Sequence, residues 1–163
     1  MDEVDKPISS LIEILPQKGS LEWIGIRTER KQPLTSVDSV AVDETSGLIG
    51  DHYKAKSVKR QVTLIQQEHL DAVSSFLGKE VTPFLTRRNL MVKGINLFAL
   101  RNKQFQIGEV VLEGTGYCHP CSRMEENLGP GGYNAMRGHG GITAKVIKGG
   151  AIKVGDLVEL IGG

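Results

Sequence analysis

Two cysteines stand three positions apart within residues 114–123, GTGYCHPCSR, as Cys118 and Cys121 with His119 and Pro120 between them. A thiolate is both a nucleophile and a soft metal ligand, so this is the stretch richest in potential chemistry. Upstream, 110–112 has strand composition; downstream, SRMEENL at 122–128 can start a helix. Cys121 is then expected at or near a helix N-terminus, where unpaired N–H groups, the helix dipole and nearby Arg123 lower a thiol pKa. Four readings compete. A structural zinc site needs about four ligands, yet there is no second CxxC or HxxxH pair, and His52, His69, His119 and His139 are scattered. A thioredoxin-like dithiol belongs after the first strand of a βαβ unit, whereas this pair lies late, in glycine-rich β text. Two small buried residues at a turn is the third reading. The fourth is a single functional thiolate on Cys121, with Cys118 as helper or bystander.

Three further segments carry polar groups that such a site could use. TRRN at 86–89 sets Arg87 and Arg88 beside Asn89, an arrangement suited to forked recognition of a phosphate, or else a solvated basic turn. GLIGDHY at 47–53 is a glycine loop whose polar groups are Asp51 and His52; a histidine there serves equally as a hydrogen-bonded structural residue. LGPGGYNAMRGHGG at 128–141 holds more glycine than a plain connection needs. It either lets backbone N–H groups approach a ligand closely or forms a mobile surface loop. It matches neither the Walker A pattern nor the dinucleotide fingerprint.

The elements that must position these residues are mostly short strands. Residues 21–27, 39–42, 61–65, 90–92, 110–112, 142–147 and 157–161 have strand length and composition. One helix is predicted over 67–77, with Leu70, Val73, Phe76 and Leu77 at spacings of three and four and Gly78 as its stop. FQIGEVVLEG at 105–114 and IKVGDLVELIG at 152–162 echo each other, and Gly108 and Gly155 are expected to turn a recurring hairpin. Residues 1–20 read as a leader, with Ile12 and Ile14 able to pair as an edge strand, and 21–163 as one domain. The fold class expected is mainly β: a closed or partly open β-barrel with one or two short helices.

Composition limits the partners. Twenty basic against nineteen acidic residues leave a charge of +1 over 163 residues. No global field draws in nucleic acid or an acidic membrane, so an anionic ligand must meet a local cluster. With 5% aromatic residues, a stacking platform for single strands is not expected. The acidic N-terminus has no signal-peptide pattern and no run approaches a membrane span, so a cytoplasmic location and free thiols are expected.

Taken in order, GLIGDHY at 47–53, RQVTLI at 60–65, RRNLMVKGINL at 87–97, FQIGEVVLEGTGYCHPC at 105–121 and GGAIKVGDLVEL at 149–160 resemble the MOSC family, named for the C-terminal domain of molybdenum cofactor sulfurase. The resemblance runs from about residue 21 to the C-terminus. It implies a β-barrel, binding of molybdenum cofactor or its sulfur, and a family cysteine that matches Cys121. In members that are enzymes, such as the mitochondrial amidoxime reducing component, the matching cysteine ligates molybdenum and N-hydroxylated substrates are reduced. Arg87, Arg88 and Asn89 match a segment near the cofactor. The resemblance thus casts Cys121 as catalytic residue and metal ligand and sets Arg87, Arg88 and Asn89 at the cofactor; Asp51, His52, Cys118 and His119, singled out above by residue type, are expected to touch it too. The expected activity is reduction of N-hydroxylated or N-oxide compounds. A sulfur carrier or cofactor-insertion protein holding a persulfide on Cys121 is the alternative. Expected partners are the small-molecule cofactor and substrate and a redox or sulfur-donor protein. No pyridoxal-phosphate desulfurase text or separate N-terminal β domain precedes residue 21, so pyridoxal phosphate is not expected.

Overall fold

Short apolar strands leave unpaired N–H and C=O groups along every free edge, and closing the sheet removes both edges at once. The computed structural model describes residues 6–29, 32–52 and 57–161. Its first strands are β1 (Gly19–Ile26), β2 (Thr35–Val37), β3 (Ser39–Asp43), β4 (Gly47–Leu48), β5 (Val62–Gln66) and β6 (Leu90–Lys93). β7 (Gln104–Ile107), β8 (Val110–Tyr117), β9 (Ile142–Lys148), β10 (Gly150–Lys153) and β11 (Leu157–Leu160) follow. The main sheet runs β11-β7-β8-β9-β5-β6-β1-β2, and a second pairing of β1 with β11 closes seven of its strands into a barrel. β2 extends the far end of β1. β10, β3 and β4 form a separate small sheet, whose Val40, Val42, Leu48 and Ile152 pack into the barrel core.

One pair breaks the antiparallel pattern. β5 and β6 run parallel, Leu64 opposite Leu90, because α2 (Gln67–Leu77) leaves β5 at once and carries the chain back along the barrel wall. α2 is the longest helix and has the predicted bounds, ending at Gly78 with φ 69°. The other helices are short: α1 (Ile8–Leu11), α3 (Pro83–Thr86), α4 (Ser122–Leu128) and α5 (Gly132–Met136).

Alternation along the strands sorts side chains into two cores. Leu64, Leu90 and Val92 point into the barrel with Phe105, Leu112 and Ile142. Ile65 and Met91, one residue out of phase, point outward beneath Leu70 and Val73 of α2, Met124 and Leu128 of α4, and Met136 of α5. Strands covered on both faces read as unbroken apolar runs, and VTLI and LMV are such runs.

Two expectations are corrected. Ile12 and Ile14 lie in no strand; the leader forms α1 and a turn, and β1 begins at Gly19. Residues 1–5, Tyr53 of the GLIGDHY segment, and Gly162 and Gly163 lie outside the described residues. The echo has two geometries, not one: Gly108 turns the β7–β8 hairpin, with Ile107 opposite Val110. Gly155 is instead a corner between sheets, since β10 pairs with β3 and β11 with β7 and β1. No helix among the described residues is long and apolar enough to cross a membrane.

Candidate functional site

The cysteine turn leaves β8 at Tyr117 and enters α4 at Ser122. Its two thiols differ in environment. Cys118 is 3% exposed and its backbone N–H donates to the Gly141 carbonyl (2.8 Å). Cys121 is exposed and occupies the cap position before α4, where its carbonyl accepts the Met124 N–H (3.0 Å). The predicted place at a helix start is thus found. Among the described residues no group of three His, Cys, Asp or Glu side chains could hold a metal ion. The two thiols differ in exposure, one buried and one open to solvent.

The TRRN segment divides into three roles. Arg87 caps α3 in the left-handed conformation, φ 62°, which is strained for a side chain with a Cβ and clusters at functional sites. It lines a polar basin of about 150 Å³ together with Arg27, Arg60, Asp51, His52 and Asn89. Three guanidiniums against one carboxylate make that basin electropositive. Asp51 accepts the Arg27 backbone N–H (2.8 Å), and the Nε of Arg27 and Nε2 of His52 are buried with no hydrogen-bond partner among the described residues. Buried polar atoms are almost always paired, so these two nitrogens are groups that a ligand in the basin could engage. Four residues singled out in the sequence, Asp51, His52, Arg87 and Asn89, are brought together here. Arg27 and Arg60 were missed, because they lie far apart in the text, outside the TRRN and GLIGDHY segments, and only the fold gathers them.

Arg88 lies apart from the basin. It is 7% exposed. Its Nε donates to the Gly140 carbonyl (2.9 Å), its NH1 to Thr86 (3.0 Å), and its NH2 to Cys118 (3.2 Å) and His119 (3.5 Å). A guanidinium with its hydrogens engaged by four carbonyls has little capacity left for a phosphate. Asn89 is also largely committed. Its Oδ1 accepts from the Thr63 N–H and Oγ1 (both 3.2 Å), and its Nδ2 donates to the Gly25 carbonyl (3.2 Å). It ties β1, β5 and β6 beneath the basin.

Cys118 and His119 face elsewhere. They line a second cleft of about 250 Å³ with Phe98, Tyr117, Pro120, Gly138, Gly140 and Gly141. The glycine-rich segment that forms part of it is packed structure rather than a free loop. It contains α5, and a Cβ at Gly140 would strike the Cys118 carbonyl, one at Gly141 the Leu64 carbonyl. Beside this cleft, His69 of α2 and His139 meet at 5.0 Å between ring centroids, flanked by Phe98 and Phe76. Burial chiefly, with a smaller contribution from the His139 charge, pulls the His69 pKa below its ordinary 6.5 against the pull of Glu68.

A MOSC domain model matches residues 36–159. With that match over most of the sequence and the closed barrel described above, the chain belongs to the MOSC domain family, relatives of the molybdenum cofactor sulfurase C-terminal domain and a family associated with molybdenum cofactor. Solved structures share the fold. The YuaD protein of Bacillus subtilis superposes with a TM-score of 0.77 at 18% identity, over 90% of this chain and 98% of that one. YiiM of Geobacillus stearothermophilus gives 0.71 at 17% identity, over 88% and 75%. YiiM of Escherichia coli gives 0.67 at 18% identity, over 88% and 70%. No curated protein matches the sequence.

Replacing Arg88 with Met leaves the carbonyls of Thr86, Cys118 and Gly140 without their donor, and each such loss costs about 1–3 kcal/mol. Urea unfolding should therefore show Arg88→Met destabilised by more than about 2 kcal/mol; an unchanged midpoint would remove Arg88 from its positioning role. The histidine pair predicts a pH dependence of stability. Because the folded His69 pKa lies below 6.5, the unfolded chain binds more protons just below that pH, and stability falls as pH drops from about 6.5. Carboxyl groups titrate near or below about 4.5, so the slope between pH 6.5 and about 5 should flatten in His69→Phe, measured by urea midpoints across that range.

Proposed function

We propose that this MOSC protein binds molybdenum cofactor, with the Cys121 thiolate as the protein's metal ligand, and reduces N-hydroxylated or N-oxide compounds. The observation that carries the reading is the basin. Arg27, Arg60 and Arg87 converge on a space of about 150 Å³ lined by two buried nitrogens, Arg27 Nε and His52 Nε2, that have no hydrogen-bond partner among the described residues. Its size suits a phosphate-sized group rather than a whole pterin cofactor, and its chemistry suits an anion. The residues present therefore fit the phosphate end of molybdenum cofactor. Cys121, exposed on the turn that Arg88 pins, has the soft donor that molybdenum takes.

When bound, the cofactor would supply two-electron oxygen-atom chemistry, the part of the reaction no side chain can perform. The chain's own residues bind and orient. Arg87 and Arg27 hold the anionic end, and Asp51 fixes the Arg27 backbone at the rim. Arg88 keeps the cysteine turn rigid through the Cys118 and His119 carbonyls, so the Cys121 thiolate is presented in one place. Reduction of an N–OH group consumes two electrons and two protons and releases water; a redox partner protein supplies the electrons.

A second reading is favoured by one observation: Cys121 lines neither cleft and is open to solvent. Such a thiol is also accessible to a protein partner, as a carrier of persulfide sulfur would be.

Metal analysis of protein from a host that makes molybdenum cofactor separates the two. The reductase predicts roughly one molybdenum per chain, none in Cys121→Ser, a reduced load in Cys118→Ser, and reduced loading in Arg87→Ala with stability within about 0.5 kcal/mol of the parent. Labile sulfane sulfur on Cys121 without molybdenum supports the carrier instead. In cofactor-free protein iodoacetamide should label exposed Cys121 before buried Cys118; equal labelling with a readily reversible Cys118–Cys121 disulfide would sink both single-thiolate readings.

A further inference from the structure

The cleft beside the cysteine turn differs from the basin in chemistry and in shape. Its volume is about 250 Å³, and no Lys, Arg, Asp or Glu side chain among the described residues lines it. Part of the lining is a run of rings. Phe98 and Tyr117 meet at 4.7 Å between centroids with their planes at 62°, and His119 follows Tyr117 at 6.3 Å and 81°. Arg101 stands over the Tyr117 ring at 4.9 Å, which fixes that ring by a cation–π contact. The remaining wall is bare backbone at Gly138, Gly140 and Gly141.

That bareness is enforced by packing and by backbone conformation. A Cβ at Gly140 or Gly141 would collide with the Cys118 or Leu64 carbonyl, and Gly138 has open space around a Cβ but a positive φ of 81° that disfavours side chains. A space bounded by aromatic rings and naked peptide planes is flat-sided. Planar rings pack against both kinds of surface, offset-stacked or edge-on, and are favoured there over puckered rings of the same size. No Lys or Arg side chain lines this cleft, whereas three arginines line the other basin and would hold an anion there. The last lining residue, Pro120, precedes Cys121 directly.

We propose that this cleft is the substrate pocket and selects an uncharged, planar aromatic ring, holding the ring's substituent next to Cys121. The assignment rests on the reading of Cys121 as the metal ligand, but ring binding itself does not require the metal.

The test is a titration of the isotopically labelled, cofactor-free full chain with two probes of equal heavy-atom count, benzamide and cyclohexanecarboxamide, followed by amide chemical shifts. Benzamide should shift Tyr117, Gly138, Gly140 and Gly141 and bind at least about threefold more tightly than its saturated partner. Tyr117→Ala, at an exposed position, should weaken benzamide about tenfold, and His119→Ala provides a second variant should the first fold poorly. Equal affinity for the two probes, shifts centred on Arg87 and His52, or unchanged binding in both variants would overturn the proposal. So would loss of benzamide binding once molybdenum cofactor is loaded, because the cofactor's own pterin would then be the ring this cleft holds. Ring binding in a chain that never acquires molybdenum tells against the metal reading alone, and molybdenum without ring binding tells against the pocket alone.

Discussion

The buried guanidinium of Arg88 is the contact on which the site depends. A cation taken out of water is expensive unless its field is met by fixed dipoles, and here four carbonyls meet it, from Thr86, Cys118, His119 and Gly140. Those carbonyls belong to three segments distant in sequence: the end of α3, the cysteine turn, and the glycine stretch before β9. Each segment is irregular and has few ladder hydrogen bonds of its own. One side chain supplies donors to all three, so the position of Cys121, the wall of the aromatic cleft and the approach to Arg87 are set together.

The barrel makes that junction possible. β5 and β6 are the parallel pair at its centre, tied laterally to β1 by Asn89 through Gly25 and Thr63. Their outward residues Ile65 and Met91 seat α2, α4 and α5. α3 and α4 then lie side by side, with Asn127 Nδ2 donating to the Leu85 carbonyl (3.0 Å). The loops at the helix ends, Arg87 after α3 and Cys121 before α4, are held on a packed layer rather than on free connections, which suits a site that must present a ligand and an anion clamp in fixed relation. Two clefts result, one electropositive and one aromatic, with no lining residue in common.

Much of this was legible in the sequence where the signal is local. The helix over 67–77 declares itself by apolar spacing and a glycine stop, and the strands by short β-rich runs between glycines. Cys121 at the start of α4 followed from strand text upstream and helix text downstream. Local signals failed where pairing decides. Gly108 and Gly155 sit in near-identical text, yet one turns a hairpin and the other a corner between sheets, because the partner strands lie far away in sequence. Ile12 and Ile14 have strand composition, but the leader forms α1 and a turn instead, with neither residue in a strand.

The sequence by itself determined the barrel class and the one long helix, which rest on composition and spacing within a few tens of residues, and the family, which rests on five segments in order between residues 47 and 160. Only the tertiary structure decided what neighbouring polar residues do. Arg87 and Arg88 are adjacent and alike in the text, but the left-handed backbone at Arg87 sends one to a basin with Arg27 and Arg60 and leaves the other buried among carbonyls. Which way a side chain points, and which distant groups complete its hydrogen bonds, is fixed by contacts between segments that no local pattern records.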